Sequence, residues 1–368
     1  MSPRERVLTA LDHREPDRVP IDYWAVESVT DQLVAERGLG GREALLEAIG
    51  VDLQYHLGPR YVGRPLRTFE DGTAEDHWGV PRKWMTVTGV RRDGRPWSWR
   101  YKHVARPPLA SMTTAADIEA YPYWPNTEMW DYSQLADECA AIRRKGYAAV
   151  IGADRLDRAA QLKPAMYLRG AEQFLVDLMT EPHTAECILD HMVSYYLAHY
   201  ERIFQATEGL ADIFFMGDDM GTQGSLWVSR ELYRRFFKPN FAKFNELAHR
   251  YGLRTMYHSC GNVTELVPEF IDAGLDVLQS LQPQAGMDPA RLKQEFGRDL
   301  CFQGGIDIQG VLPHGSPTDV RAHVADRVKS LAPGGGYIFG TAHNLLPDVP
   351  TENIWALFDA YHEFGRYA

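Results

Sequence analysis

The residues of this chain best suited to chemistry are His258 and Cys260, in the stretch Tyr257-His258-Ser259-Cys260-Gly261-Asn262. This stretch predicts the end of a strand that runs into a glycine turn. Positions two apart on an extended backbone project from the same face, so the imidazole and the thiol point into one space. The pair predicts half of a zinc site; the alternative is a buried cysteine beside a hydrogen-bonded histidine.

A third ligand is needed, because a catalytic zinc takes three protein ligands and keeps one position open. The stretch Gly340-Thr341-Ala342-His343-Asn344 offers His343. A thiol that entered the open position would lose its proton to the metal and become a nucleophile at neutral pH. We therefore predict a zinc site made of His258, Cys260 and His343.

The elements that must position these residues alternate between short apolar strands and helices from about residue 145 onward. Repeated alternation with short connections predicts a parallel sheet. The predicted strands number eight, which favours a (β/α)8 barrel within the α/β class: Val19–Trp24, Val51–Tyr55, Ala148–Gly152, Asp212–Met216, Thr255–Tyr257, Asp276–Gln279, Leu300–Gln303 and Tyr337–Phe339.

Residues 60–125 interrupt this rhythm. Period-two alternation at Lys83–Val90 and Trp97–Val104 predicts a β-hairpin, rich in Arg, Gly, Trp and Pro in its surroundings. We expect one domain over residues 1–368, with residues 60–125 inserted as a β-rich segment over one end of the barrel as part of a lid.

Chemistry in such barrels lies at the carboxyl ends of the strands. Polar or aromatic residues follow the apolar strands almost without exception, and such a pattern costs stability unless something uses it. These strand-end residues are Tyr23, Trp24, Asp154, Arg155, Asp218, Asp219, His258, Cys260, Gln279, Gln282, Gln303, Asp307, Thr341 and His343. Five of them are predicted to bind substrate: Tyr23, Trp24, Gln279, Gln303 and Asp307.

Three aspartates are candidate catalytic residues. Asp218 and Asp219 follow an apolar strand and a glycine. They are suited to be general acid or base groups, partners that orient a ligand histidine, or the N-cap of a turn. Asp52, in Gly50-Val51-Asp52-Leu53, is either a third catalytic carboxylate or a simple turn residue.

Charge and composition exclude several classes of function. The net charge of −11 argues against a surface that binds nucleic acid or anionic membrane. No apolar run approaches the roughly 20 residues that cross a bilayer, and the N-terminus has no signal-peptide core. Four cysteines in 368 residues do not make a disulfide framework. We expect a cytoplasmic, reduced protein that acts on a small molecule.

Three motifs carry a family resemblance. The chain resembles the uroporphyrinogen decarboxylase superfamily over nearly its whole length outside residues 60–125. The motifs are Arg4–Leu11 with Pro16–Pro20, then His258-x-Cys260-Gly261-Asn262, and finally Gly340-Thr341-Ala342-His343 with Pro350-Thr351-Glu352-Asn353. The resemblance implies either a cofactor-free decarboxylase of a porphyrinogen or a zinc-dependent methyltransferase that moves a methyl group between a corrinoid and a thiol.

The motif details favour the second branch. The decarboxylases carry an Arg-Gln-Ala-Gly-Arg-Tyr motif after their first strand, whereas this chain has Tyr23–Ser28 without an arginine. Without guanidinium groups, the many carboxylates of a porphyrinogen would be poorly compensated. The methyltransferases use His-x-Cys and a late Cys as zinc ligands, and His343 takes the place of the late Cys here. Asp52 is similar in position to the decarboxylases' catalytic aspartate.

Three hypotheses follow. The first is a zinc-dependent methyltransferase that takes its methyl group from a corrinoid on a separate protein, in which Asp218 or Asp219 orients a ligand or handles the thiol proton. The second is a cofactor-free decarboxylase or lyase of a smaller acid, with Asp52 or Asp218 near the reacting carbon. The third is a non-catalytic barrel that binds a corrinoid or a metabolite. The sequence leaves a homodimer open.

Overall fold

A computed structural model describes residues 1–56, 58–152 and 158–367. Its strands are β1 (Leu53–His56), β2 (Arg60–Tyr61), β3 (Ala74–Glu75), β4 (Pro81–Val90), β5 (Pro96–Val104), β6 (Trp130–Asp131), β7 (Ala148–Ile151), β8 (Ile213–Gly217), β9 (Arg254–His258), β10 (Val277–Leu281), β11 (Cys301–Ile306) and β12 (Tyr337–Thr341).

Its helices are α1 (Pro3–Leu11), α2 (Glu27–Arg37), α3 (Arg42–Ile49), α4 (Ala115–Glu119), α5 (Leu135–Arg144), α6 (Leu162–Arg169), α7 (Ala171–Thr180), α8 (Pro182–Ala206), α9 (Arg230–Leu232), α10 (Lys238–Arg250), α11 (Val267–Asp272), α12 (Pro289–Phe296), α13 (Val311–His314), α14 (Pro317–Leu331) and α15 (Thr351–Phe364). Short 3₁₀ turns and a π-helix over Tyr233–Phe237 complete the helical segments. Within the described ranges, no helix has the length and hydropathy that a membrane-spanning helix needs.

Seven strands form one curved parallel sheet in the order β1-β7-β8-β9-β10-β11-β12. The predicted strand Val19–Trp24 lies between β12 and β1, where Ile21 forms a parallel bridge with Phe339 and its carbonyl accepts the Asp52 N–H at 2.9 Å. It forms isolated bridges because Pro20 has no N–H to continue a ladder. The predicted α/β barrel is confirmed, with this segment in the eighth strand position.

Helix α1 closes the amino end of the barrel. Ser2 and Glu5 form a capping box at its start, and Pro3 occupies a first-turn position that needs no N–H donor. Its Val7 and Leu11 pack with inward-facing strand residues in one buried cluster. Apolar side chains of α1 and of the strands therefore fill this end of the barrel.

The insertion predicted over residues 60–125 contains β2 to β5 and α4. Strands β4 and β5 pair as an antiparallel hairpin from Arg82↔Val104 to Val90↔Pro96. Near its tip, Arg91 donates from Nε to the Pro347 carbonyl at 2.6 Å and from Nη2 to the Gln32 side chain at 3.1 Å. Pro347 belongs to the connection after β12, so the hairpin is fixed beside the carboxyl ends of the strands.

Candidate metal centre

The three predicted zinc ligands converge at the carboxyl ends of β9 and β12. His258 is the last residue of β9, Cys260 follows two residues later, and His343 lies just after β12. The Cys260 Sγ lies 3.3 Å from His258 Nε2, and one donor atom from each of the three residues lies within 4.8 Å of the others. We call this set the metal centre.

Strand register and one glycine place the first two ligands. Parallel pairing aligns His258 with Gly217 on β8 and with Gln279 on β10. Gly261 has φ +80°, and a Cβ on it would stand 2.3 Å from the carbonyl carbon of Gly221. Only glycine fits this close approach, so the turn after Cys260 packs directly on the loop that follows β8.

Gln279 orients the His258 ring and selects its tautomer. Its Oε1 accepts a hydrogen bond from His258 Nδ1, and both side chains are buried. This bond assigns the proton to Nδ1 and leaves the Nε2 lone pair facing Cys260 and Asp219. Trp24 packs edge-on against the imidazole with ring centres 5.3 Å apart. The ring is therefore held with its ligand atom turned into the centre.

The electrostatic surroundings of Cys260 favour the thiolate. Burial raises the pKa of its thiol, but hydrogen bonds and charge interactions with the imidazoles of His258 and His343, in their protonated, metal-free form, outweigh burial and hold that pKa well below its usual value. Its backbone N–H donates to Asp219 Oδ1 at 3.2 Å. A thiolate beside two imidazoles is a soft donor set of the kind that zinc takes.

Asp219 joins the metal centre to helix α6. Its Oδ1 lies 3.5 Å from His258 Nε2, and its Oδ2 accepts a charged hydrogen bond from Lys163 Nζ on α6. The structure thus places this predicted catalytic aspartate at the centre. Sequence reasoning missed Lys163, because nothing in the sequence shows that the first turn of α6 faces β8 and β9.

Asp218 has a structural role and does not reach the metal centre. Its carboxylate is buried and accepts backbone N–H bonds from Gln161, Leu162 and Lys163, two of them at 2.8 Å. It therefore caps the amino end of α6, and its oxygens are occupied. Of the three roles predicted, capping fits, although the capped helix lies on the preceding connection of the chain.

Asp52 lies at the wrong end of the barrel for catalysis. It precedes β1, is fully buried, and pairs with Arg6 at 2.6 Å and Arg18 at 2.7 Å. It also accepts the Ile21 N–H at 2.9 Å. Asp52 thus connects α1 and the first barrel segment at the amino end, and the structure does not bring this predicted catalytic carboxylate to the metal centre.

Two predicted substrate-binding residues also have structural roles. Asp307 accepts backbone N–H bonds from Gln309 at 2.8 Å, Gly310 at 3.0 Å and Val311 at 2.9 Å, which shape the turn into α13. The Tyr23 hydroxyl is 3.0 Å from Thr30 Oγ1, outside the barrel. Successive side chains of an extended segment alternate, so Tyr23 cannot face inward beside Trp24.

A polar cluster that the sequence analysis missed lies inside the barrel. Asp22 accepts the Tyr55 hydroxyl at 2.5 Å and Gln303 Nε2 at 2.9 Å. Burial raises the pKa of Asp22 to about 6. Gln303 was predicted to bind substrate. In the structure it is buried and donates a hydrogen bond to Asp22. The sequence feature that would have indicated Asp22 is the two-residue period of an extended segment, which places its side chain on the same face as that of Trp24.

Two cavities meet at the metal centre. The larger, about 460 Å³, is lined by Cys260 and by side chains of mixed polarity, among them Met166, Gln223, Trp227, Gln282 and Gln309. The smaller, about 310 Å³, is lined by His258 and by a ring of aromatic and cationic side chains, namely Trp24, Trp99, Arg158 and Tyr167. His343, Asp219 and Lys163 line both. The metal centre therefore lies in the wall that the cavities share.

The hairpin contributes to the smaller cavity through Trp99 of β5. Trp99 stacks on Tyr101 with ring centres 4.8 Å apart, which supports its indole. Arg158 lies 4.8 Å from the centre of the Phe215 ring. The predicted strand-end residues Asp154 and Arg155 lie outside the described residues.

A bulge in β10 positions Gln282 beside the turn that carries Cys260. The β10–β11 register shifts between Gln279 and Leu281, and Ser280 has φ +81°. This bulge inserts one residue and re-aims the side chains beyond it. Gln282 Oε1 then accepts the Gly261 N–H at 2.8 Å, which fixes the turn that carries Cys260.

Comparison with known proteins adds relatives of two kinds. A methylated-thiol–coenzyme M methyltransferase of Methanosarcina mazei is 26% identical over 202 residues, 54% of this chain and 50% of that protein. A uroporphyrinogen decarboxylase of Anaeromyxobacter dehalogenans is 27% identical over 191 residues, 51% of this chain and 50% of that protein. The chain spans about half the length of the curated relatives it matches.

A methyltransferase from Methanosarcina mazei of known structure superposes with a TM-score of 0.64 at 18% identity, over 99% of both chains. At this identity the likeness establishes the fold, here the α/β barrel. The family model described as uroporphyrinogen decarboxylase (URO-D) matches residues 107–364, well over half of the chain. The chain therefore belongs to the uroporphyrinogen decarboxylase family.

Proposed function

We propose that this protein is a zinc-dependent methyltransferase that moves a methyl group between a corrinoid carrier and a small acceptor such as a thiol. The observation that carries the proposal is the convergence of His258, Cys260 and His343 in the wall between two cavities. Membership of the family supports it, as does the relative described as a methylated-thiol–coenzyme M methyltransferase.

The donor set fits zinc. Two imidazoles and one thiolate give three N and S ligands, which leaves a fourth tetrahedral position for a substrate. Gln279 keeps the His258 Nε2 lone pair available, and the same kind of outer partner is typical of zinc-bound histidines. When bound, zinc would lower the pKa of a coordinated thiol and so make it a nucleophile at neutral pH.

The surrounding residues would bind and orient the reactants. Asp219 is the group closest to the centre that can accept a proton from an entering thiol, and Lys163 keeps its carboxylate in place. Gln282 holds the Cys260 turn, and Trp24 blocks rotation of the His258 ring. Each of these contacts fixes a donor atom before substrate arrives, which lowers the cost of orienting it.

The two cavities suit a group transfer. Displacement at a methyl carbon requires the acceptor and the leaving group on opposite sides of that carbon. Reactants that enter from the larger and the smaller cavity would meet at the shared wall, where His343 lies. The smaller cavity combines aromatic side chains with both cationic and anionic groups, including Arg158, Lys163 and Asp219, which suits a compact molecule with an apolar part and polar groups.

We propose that the corrinoid is presented by a separate protein at the larger cavity. The exposed side chain of Trp227 lines this cavity. An exposed aromatic beside a functional opening is typical of a docking surface.

Metal analysis tests the proposal. Protein purified without chelators or metal-affinity resin should contain zinc, and Cys260→Ser and His343→Ala should each lose one equivalent per chain. Cys301→Ser is the matched control, because Cys301 is buried on β11 and remote from the centre. Wild-type chain should demethylate free methylcobalamin in the presence of a thiol, and the two ligand variants should not. A metal-free wild type with full activity would refute the proposal.

The contacts of Asp52 and Asp218 weigh against the decarboxylase alternative, which needs one of these carboxylates beside the reacting carbon. Asp52 is paired with two arginines at the amino end, and Asp218 caps α6. The oxygens of both carboxylates already accept hydrogen bonds from arginine side chains or backbone N–H groups, although Asp218 also lines the smaller cavity. The methyl-transfer proposal is the one that uses the residues gathered at the centre.

A further inference from the structure

A second cluster of metal-binding side chains lies on the outer surface, where α4 of the insertion packs against α8. Glu119 ends α4, and Cys187 and His191 lie on α8. One donor atom from each of these three residues lies within 4.8 Å of the others. Across the described ranges, only this cluster and the metal centre bring three such donors together.

The donor atoms are held in place before any ion arrives. Cys187 and His191 are four residues apart on one helix, so their side chains share a face. The two carboxylate oxygens of Glu119 face these side chains separately, with Oε1 3.6 Å from Cys187 Sγ and Oε2 3.0 Å from His191 Nε2. The three donor atoms therefore lie close enough together to bind one ion.

Trp124 locks the histidine. Its ring stacks on the His191 imidazole with ring centres 4.5 Å apart and planes 5° from parallel. Its Nε1 donates to the Ile118 carbonyl at 3.0 Å, so the indole is tied to α4. The stacked indole holds the His191 ring in one orientation, in which Nε2 faces Glu119.

The charge and chemistry of the set suit a divalent cation. A thiolate and a carboxylate neutralise two positive charges, and the imidazole adds a neutral nitrogen donor. Sulfur, nitrogen and oxygen donors in a set of three, with a fourth position for water, are typical of zinc. Burial and the Glu119 carboxylate raise the pKa of Cys187 to about 11, so without a cation the thiol keeps its proton.

We propose that Glu119, Cys187 and His191 form a second, structural zinc site that clamps α4 onto α8. The ion would join positions 68 residues apart in the chain, Glu119 and Cys187. Closing so long a loop stabilises the arrangement that it fixes. Because α4 follows β5 in the chain, the ion would also restrain the segment that follows the hairpin, whose Trp99 lines the smaller cavity. The proposal does not depend on the proposed function.

The test uses the full chain with the metal centre removed by Cys260→Ser. This chain, freed of metal and given ZnCl₂, should keep one zinc equivalent through gel filtration. Adding Cys187→Ser and His191→Gln together should remove that equivalent. Adding His183→Gln should not, because this exposed histidine lies about two turns before His191 on the same helix, beside Glu186. Cobalt(II) in place of zinc should give a thiolate-to-metal absorption band that disappears with Cys187→Ser.

A second measurement keeps the test decisive if the double change perturbs folding. Zinc should slow amide hydrogen exchange in α4 of the Cys260→Ser chain, and Glu119→Gln, an exposed substitution, should abolish that effect. Equal zinc retention with and without Cys187 and His191 would show an adventitious ion only and overturn the proposal. So would zinc binding without protection of α4.

Discussion

Replacement of Gln279 by leucine tests whether an outer hydrogen bond prepares the metal centre. Gln279 Oε1 is the acceptor for His258 Nδ1–H, and both residues are shielded from solvent, at 1% and 4% exposed. Gln279→Leu leaves that N–H either unpaired in the barrel or moved to Nε2 by tautomerisation. In the second case the lone pair that would bind zinc is lost.

The magnitude follows from what the bond does. Removal of such an outer partner costs about 10–100-fold in metal affinity, which corresponds to about 1.4–2.7 kcal/mol of binding free energy. Leaving a buried donor unpaired costs about 1–3 kcal/mol of folding stability, well below the about 5–15 kcal/mol of a typical domain. We therefore expect a folded Gln279→Leu protein whose zinc Kd rises by about 10–100-fold.

The assay is zinc competition against a fluorescent chelator, with unfolding in urea measured in parallel. Gln303→Leu is a closely matched control: Gln303 pairs in register with Gln279 on the neighbouring strand and is equally buried at 1%. Its amide bonds to Asp22 and not to a ligand. Gln303→Leu should leave the zinc Kd unchanged, and Gln279→Glu, which keeps an acceptor, should restore it.

The reasoning is refuted if Gln279→Leu and Gln303→Leu weaken zinc binding equally, or if neither does. An equal loss would mean that any substitution of a buried residue in this layer of the barrel weakens zinc binding. No loss would mean that His258 needs no acceptor to present Nε2.

Three further predictions follow from the same contacts. Asp218→Ala removes the cap of α6 and should lower the free energy of unfolding by about 1–2 kcal/mol while zinc content stays constant; loss of zinc with unchanged stability in urea would contradict the capping role. Trp99→Ala should raise KM for the substrate of the smaller cavity by about 2–10-fold, since an aromatic contact contributes about 0.5–1.5 kcal/mol. Tyr101→Ala, which supports Trp99 without lining the cavity, should have a smaller effect in the same steady-state assay. Burial raises the pKa of Asp22 from 3.8 to about 6, so between these values the folded protein binds more protons and its stability falls as pH rises. Asp22→Asn abolishes this titration, and its free energy of unfolding relative to wild type should rise by about 2 kcal/mol between pH 4 and pH 7; a pH-independent difference would show that Asp22 is not the buried acid.

Much of the fold could be predicted because strand and helix patterns are local. Apolar runs bounded by glycine and proline located all seven regular strands of the barrel to within a few residues. The first segment, Val19–Trp24, lies where it was predicted but does not form a regular strand. Pro20 lacks the N–H that would continue the hydrogen bonding to its neighbours, and those neighbours, β12 and β1, are known only from the structure.

The candidate site was predicted unevenly, and the errors have a common cause. Asp218 and Asp307 occur at strand ends, as substrate-binding residues do, but their oxygens accept backbone N–H groups of nearby helix starts. A sequence shows that a carboxylate stands at a turn, whereas the structure shows which turn it faces. Asp52 was misplaced because it precedes its strand, and only the direction of β1 in the barrel reveals which end that is.

The sequence by itself determined the pairing of His258 with Cys260, because the two-residue period of a strand is a property of the local backbone. It also determined the family, through motifs that survive at low identity. The tertiary structure placed the predicted His343 beside this pair, and it alone decided that Asp219, rather than Asp218, reaches the centre. Those choices depend on strand register and on how the barrel closes, which bring together side chains from connections far apart in the chain.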